Sequence, residues 1–587
     1  MLKLLKNLNK RDYIYVFISA GLIVFQVWLE LKMPDYMSNI TQLVQTRGAS
    51  INDILREGSY MLLCAFGSLV SAFIVGYFTS TIAASFSYRT RGKLFRKVED
   101  ISTFEVKKFS PSSLITRTTN DITQIEFLIA MGLTLMIKAP ITAVWAVTKI
   151  LNKNIEWSIL TGIAVLVLLI TIGIIMMIVM PKFKIVQELM DKINMVMREN
   201  LSGIRVVRAF NAEKYQEDKF ENVNNTLTNQ QVFNQKAFNF LSPVMYLVMY
   251  FLTLGIYFIG AMLINEANMG DKIVLFGNMI VFSSYAMQVI MSFLMLAMIF
   301  MMLPRASVSA KRINEVLDTP ISVNEGNVTM NNSDIKGCVE FKNVSFKYPD
   351  ADEYVLEDIS FKVNKGETIA FIGSTGSGKS TLINLIPRFY DATSGEILIN
   401  GIDVRDYSFE YLNNIIGYVP QKATLFSGDI LSNVSFGKNI DGKPSNKKIA
   451  DALRVSQASE FVSKLEDGEK SHIAQGGTNI SGGQKQRLSI ARTIARNPEI
   501  YIFDDSFSAL DYKTDSTLRR ELREYTKDAT VMIVAQRIGT ILNADKIVVL
   551  DNGKCVGVGT HNELMKKCKV YKEIALSQVS KEELENV

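Results

Sequence analysis

Six stretches of this chain are apolar over roughly the 20 residues that a helix needs to cross hydrocarbon. They lie near 13–33, 59–85, 128–150, 157–180, 239–264 and 272–303. Hydrocarbon offers no water to backbone N–H and C=O groups, so such stretches are held to helices that satisfy their own hydrogen bonds. The third is the least apolar, since it carries Lys138 and Pro140. From about residue 336 the sequence turns into a mixed α/β pattern, and the mean hydropathy of +0.16 averages two unlike halves. With 587 residues the chain is too long for one ordinary domain. The expected organisation is an amphipathic N-terminal segment (1–12), a membrane domain (13–312), a linker (313–335) and a soluble α/β domain (336–587). The basic start MLKLLKNLNKRD shows no small-residue cleavage site, which favours a retained first span over a cleaved signal.

Orientation follows from Lys and Arg in the connections. Lys3, Lys6, Lys10 and Arg11 precede the first span. Arg89, Arg91, Lys93, Arg96, Lys97, Lys107, Lys108 and Arg117 follow the second, and Lys182, Lys184, Lys192, Arg198, Arg205 and Arg208 follow the fourth. The opposite connections hold only Arg47, Arg56 and Lys153. Both termini are therefore expected in the cytoplasm of a multi-pass cell-membrane protein. The two long cytoplasmic connections read as helical fingers, with tips expected near 104–116 and 211–220. Met287, Met291, Met295, Met298 and Met302 recur at helical spacing in the last span. Such a stripe suits either an adaptable apolar pocket or ordinary helix packing. Glu30, Lys32 and Lys138 are intramembrane or interfacial charges and weak candidates for substrate contact. A net charge of +6 is mild at this length and gives no reason to expect nucleic acid. Four scattered cysteines and two histidines argue against a zinc site.

The soluble half carries the chemistry. In GETIAFIGSTGSGKSTLINLIPR (366–388) an apolar strand, Thr368–Ile372, meets Gly373-Ser374-Thr375-Gly376-Ser377-Gly378-Lys379-Ser380 and then a helix. This is a P-loop in the strand–loop–helix setting it needs. Its glycines let backbone N–H groups curve around phosphates, and Lys379 reaches the β and γ phosphates of ATP. Ser380 offers a hydroxyl to Mg²⁺, and Thr381 follows it into the helix. A second apolar strand, Ile500–Phe503, delivers Asp504 as a Mg²⁺ ligand.

Between them, ISGGQKQRLSIAR (480–492) places a Ser-Gly-Gly turn before a helix. Together these motifs resemble the ATP-binding cassette (ABC), and RENLSGIRVVRAFNAEKYQEDKF (198–220) resembles the second cytoplasmic finger of six-span ABC exporters. The resemblance covers nearly the whole chain. It implies an α-helical membrane domain of six transmembrane helices, type I exporter-like, joined to an α/β P-loop NTPase domain. It also implies site roles. Tyr348 would stack on adenine. Gln421 would sense Mg²⁺. Ser481, Gly482, Gly483 and Gln484 would form the signature, and Asp511 would close SALD (508–511). In that family each ATP sits between the P-loop of one cassette and the signature of another, so a chain with one cassette needs a partner.

Two family positions are altered. Asp505 stands where the catalytic Glu is expected, and Gln536 stands where the switch-loop His is expected. The shorter acid falls about 1.5 Å, one bond, short of the water, and a misplacement of that order costs around 100-fold in rate. Glutamine can still donate a hydrogen bond but cannot become cationic. Gln475, before the signature, is a third departure, linked to coupling more than to chemistry. The expectation is a half-transporter that binds Mg²⁺-ATP at a hydrolytically degenerate site. Its signature would complete the competent site of a homologous partner, and its substrate would be an amphiphilic compound, drug or lipid, moved out of the cytoplasm. A working homodimer, an ATP-binding regulatory subunit and an importer on the same fold stay open.

Overall fold

The computed structural model describes residues 2–46, 50–151, 155–330, 335–437 and 442–578. Arg47 and Lys153, two of the positive charges in the connections opposite the fingers, lie outside the described residues. The chain divides into two compact units, Met1–Glu99 with Ser110–Asp318, and Asp100–Phe109 with Thr319–Val587.

Among the described residues of the first unit, six helices are long and apolar enough to cross a membrane: Lys10–Gln45, Ile51–Asp100, Pro111–Leu151, Ile155–Ser202, Glu213–Glu266 and Asp271–Leu317. The first starts sharply because Asn9 and Asp12 cap it reciprocally. All outrun their apolar stretches. The second, 50 residues long, measures about 75 Å at 1.5 Å per residue, more than twice a hydrocarbon thickness of ~30 Å. The third breaks at Thr119, where a φ of −113° and a ψ of −86° leave the helical region, passes through a π-helical turn at Leu128–Gly132, and accommodates Pro140 within its last helical segment. Apolar side chains such as Phe17, Phe73 and Met177 stand at 74–78% exposure along these helices, a surface made for lipid or a second chain.

The intramembrane charges are paired. Lys138 Nζ lies 2.8 Å from Glu30 Oε1, and the same oxygen accepts from Gln26 at 2.9 Å and Ser68 at 3.2 Å. One carboxylate thereby joins the first three spanning helices. Nearer the end of the first, Asp35 accepts from Lys149 at 2.9 Å and from the Tyr285 hydroxyl at 2.8 Å. Lys32 instead lies over the Trp28 ring.

The first finger reverses through a short helix, Thr103–Lys108, which overlaps the start of the expected range. The second reverses earlier than expected. Its outgoing helix breaks at Gly203, a short helix spans Ile204–Ala209, and Asn211 turns the chain with a φ of 50°. Residues from Glu213 already belong to the returning helix, where Lys214 pairs with Asp218 at 3.0 Å. The polar run that suggested a tip is a solvated helix face.

In the second unit a six-stranded sheet has the order β12-β11-β3-β10-β9-β6. Its strands are β3 (Thr368–Gly373), β6 (Ile416–Val419), β9 (Ile500–Asp504), β10 (Thr530–Val534), β11 (Lys546–Asp551) and β12 (Lys554–Gly559), parallel except for β12. Alternate residues face two cores. Ala370, Ile372, Tyr501 and Phe503 pack into one, beside the helix Gly482–Arg496. Ile369, Phe371, Ile500 and Ile502 pack into the other. That second core is shared with an antiparallel sheet of β2 (Leu356–Val363), β1 (Val339–Phe346), β4 (Ser394–Ile399) and β5 (Ile402–Asp403). A two-stranded ribbon of β7 (Gly428–Asp429) and β8 (His472–Ile473) lies apart from both.

Breaking the Glu30–Lys138 pair strands a charge among apolar helices. We expect Lys138→Met or Glu30→Gln alone to destabilise the solubilised protein by about 3 kcal/mol. The Glu30→Gln/Lys138→Met pair should recover most of that loss, read as retention of monodisperse protein after heating.

Candidate functional site

The P-loop springs from the end of the buried strand β3. Two of its glycines are sterically obligatory. A Cβ on Gly373 would meet the Leu550 carbonyl oxygen at 2.1 Å, and Gly378 holds a φ of +94° against Leu356. The helix Lys379–Leu385 then begins at the lysine itself. Lys379 is nearly buried, and its ammonium folds back onto the carbonyl oxygens of Gly373 (2.9 Å) and Ser374 (2.7 Å). Burial pushes this ammonium below its ordinary 10.5, and the charges of Asp505 and Asp504 oppose that shift.

Ser380 Oγ donates to Asp504 Oδ1 at 2.9 Å, so the hydroxyl and the carboxylate named as Mg²⁺ ligands meet across the P-loop helix and β9. The Tyr418 hydroxyl, with a single proton to give, lies 3.0 Å from Asn384 Oδ1 and 3.4 Å from the second oxygen of Asp504. Sequence reasoning passed over Tyr418 and Asn384. Their signal was only positional, one on the strand before Gln421 and one on the face of the P-loop helix. One carboxylate and one hydroxyl suit Mg²⁺, a hard cation that fills its remaining positions with water and phosphate oxygens.

Asp505 follows β9 in a left-handed turn with a φ of 46°, and its N–H bonds to the Val534 carbonyl at 3.0 Å. Its Oδ2 accepts two amide donors, Gln421 Nε2 at 3.2 Å and Gln536 Nε2 at 2.9 Å. The two residues that depart from the catalytic pattern are thus bonded to each other. Burial raises the carboxyl groups of both Asp504 and Asp505 above the ordinary 3.8. Bonds from Ser380 and Tyr418 to Asp504, and from Gln421 to Asp505, partly offset this.

Tyr348 stands beside the P-loop helix, its hydroxyl 3.1 Å from Thr381 Oγ1 and its ring edge-on to Tyr390 at 5.4 Å. Tyr390 in turn receives Lys107 at 3.2 Å, and Phe104 packs into the same core. The signature residues form an exposed helix start. Ser481 caps the 15-residue helix Gly482–Arg496, and Gln484 returns the bond to the Ser481 N–H at 2.9 Å. Gly483 sits where a Cβ would come within 3.2 Å of the Ala509 carbonyl, so the signature rests on the segment that ends at Asp511. Asp511 caps the next helix through Thr514 at 2.9 Å. None of the described hydrogen bonds links Ser481–Gln484 to the chain's own P-loop. The structure gathers Ser380, Asp504, Asp505, Gln421, Gln536 and Lys379, and among the described residues no hydrogen bond ties the signature to them.

Comparison with known proteins bears on the whole chain. Residues 15–303 match the family model described as ABC transporter transmembrane region, and residues 356–508 match ABC transporter. The chain is 40% identical over 554 residues to an uncharacterized ABC transporter ATP-binding protein of Mycobacterium tuberculosis, covering 92% of this chain and 93% of that one. It is 31% identical to a putative multidrug export ATP-binding/permease protein of Bacillus subtilis, with 85% and 84% coverage. It is 30% identical to the ATP-dependent lipid A-core flippase of Pseudomonas aeruginosa, with 86% and 82% coverage. A bacterial Atm1-family ABC exporter with ATP bound shares the fold at a TM-score of 0.82 over 98% of this chain and all of that one, with 23% identity.

A carboxyl raised by folding disfavours the folded state only once it must ionise. That cost is absent below 3.8, where both states are protonated. It grows as pH rises toward the folded-state values and is constant above them. Nucleotide-free Asp504→Asn/Asp505→Asn protein should therefore gain thermal stability over the native chain as pH rises through that window. Melting curves taken across a pH series check this.

Proposed function

Since this chain belongs to the ABC transporter family and joins that family's transmembrane region to its nucleotide cassette, we propose that it is one half of an ATP-driven exporter. Its own P-loop site binds Mg²⁺-ATP and turns it over slowly. The observation that carries this reading is the Asp505 carboxylate, whose Oδ2 is taken by the amides of Gln421 and Gln536 together. A general base needs a free lone pair within hydrogen-bond reach of the attacking water. Here the side chain is one methylene short, and one of its oxygens is held by two donors. Gln536 can donate to a phosphate oxygen only by giving up that bond, and it brings no positive charge when it does.

ATP binding draws on parts that are in place. Lys379 exchanges the carbonyls of Gly373 and Ser374 for phosphate oxygens, Tyr348 offers a ring to adenine, and Ser380 and Asp504 supply Mg²⁺ with its protein oxygens. The ion neutralises phosphate charge when bound. The exposed, fully capped signature Ser481–Gln484 then completes a site whose P-loop belongs to a second chain. That chain is a homologous half-transporter carrying the Glu and His that this one lacks. An intact signature speaks against a purely regulatory role.

The cargo is amphiphilic. A cavity of about 780 Å³ in the membrane unit combines Phe183, Phe238, Met298 and Met302 with the amides of Gln231 and Asn234. The Asn234 side-chain oxygen is buried and has no protein partner among the described residues, which suits a ligand that can donate a hydrogen bond. The relatives named for lipid A-core flipping and multidrug export support the same class. The excess of Lys and Arg after the second and fourth spans supports a cytoplasmic position for both termini and the cassette, with export running outward.

Steady-state ATPase activity of the chain alone in lipid is the test, beside Asp505→Glu/Gln536→His. The native chain should be nearly inactive and the repaired one faster by about 100-fold, while both bind ATP alike. Turnover of several per second by the native chain alone would overturn the degenerate-site reading in favour of a working homodimer.

A further inference from the structure

A cavity of about 940 Å³ in the membrane unit is lined by Lys6, Arg89, Arg91, Lys93 and Arg96, with Glu126 as the one acid among its lining residues. The acid is engaged already. Glu126 accepts from Ser87 at 2.6 Å and lies 3.7 Å from Arg91. Lys93 bonds to the Asn7 amide oxygen at 2.6 Å, and Arg96 Nε donates to the carbonyl of Gly92 in its own helix. Lys6, Arg89 and Arg96 make no ion pair among the described residues. Arg89 and Lys93 stand four apart on one helix, as do Lys93 and Lys97, and like charges at that spacing repel.

Both walls of the cavity stand where apolar sequence gives way to basic sequence. Lys6 precedes the first spanning helix, and Arg89–Arg96 follow the apolar stretch that ends near residue 85. Tyr88 and Phe95, which also line it, are 77% and 62% exposed. Exposed aromatic rings beside cations are the composition of a membrane–water boundary. Positive flanks orient a span wherever they lie, so orientation does not require that they gather around one cavity. We propose that the cavity binds the phosphodiester headgroup of an anionic phospholipid of the inner leaflet. The phosphate takes the guanidinium groups of Arg89 and Arg96, which present forked donors to its oxygens. The glycerol end lies against Tyr88 and Leu8. The lipid relieves the repulsion along the helix and ties the N-terminal segment to the second and third spanning helices. The assignment rests on the proposed orientation of the chain, with this side cytoplasmic.

Native mass spectrometry of the full-length protein, titrated with phosphatidylglycerol or phosphatidylcholine, tests it. The native chain should retain phosphatidylglycerol preferentially. Arg89→Gln/Arg96→Gln should lose about ten- to thirty-fold in that affinity, the scale of removing two cations from an anionic surface, with phosphatidylcholine binding unchanged. Arg89→Lys/Arg96→Lys should keep most of it. If the Gln variant fails to assemble, Lys6→Gln/Arg96→Gln, at two exposed positions, carries the same comparison. Equal phosphatidylglycerol retention by native and Gln proteins overturns the proposal. Full competition by millimolar inorganic phosphate overturns it in favour of a free-anion site. Loss of dimer in place of lipid overturns it in favour of a contact with a second chain. Lipid retention needs no ATP turnover, so failure here leaves the reading of the nucleotide site untouched.

Discussion

The strand Thr368–Gly373 lies between β10 and β11 with four of its six residues buried, and a strand covered on both faces meets solvent only at its ends. That confinement dictates the shape of the nucleotide site. The chain must turn sharply at Gly373, where the Leu550 carbonyl leaves no room for a side chain, and the loop it forms is closed by the helix from Lys379. Across the sheet, beyond β10, the buried strand β9 delivers Asp504 to Ser380. The site's carboxylates are held in a half-dry setting by the same packing, which is why burial dominates their protonation.

Much of this was legible because the signals were local. Gly373–Ser380 can be read from spacing, since the strand, the glycines and the helix follow one another directly. The apolar stretches announced the six spanning helices, because hydrocarbon admits few alternatives. Encounters between distant residues were hidden. That Gln536 donates to Asp505, 31 residues away, cannot be seen in either motif alone. Nor can the meeting of Lys107 with Tyr390, 283 residues on. The second finger misled for a different reason: Glu213–Phe220 is polar enough for a loop, yet its charges pair along a helix face, and the turn belongs to Gly203 and Asn211.

The membrane unit applies one economy twice. Glu30 and Asp35 each gather more than one donor from other helices. A charge too expensive to leave alone in lipid becomes a point where several helices must meet. Proline at 34 and 140 falls close to these contacts, so helices weakened in their backbone bonding are held by side chains instead. The helices are long because they serve two solvents, apolar through the bilayer and charged beyond it.

The shared oxygen of Asp505 has a consequence for descent. Residues joined in one hydrogen-bond network do not contribute independently. Restoring only the longer acid at 505 crowds the amides of Gln421 and Gln536, and restoring only an imidazole at 536 removes one of the two donors that hold the short acid. Each single step disturbs an arrangement suited to the pair, so the two positions are expected to drift together. A substitution at either position therefore carries an effect set by what stands at the other, and the pair behaves under mutation as one unit and not as two sites.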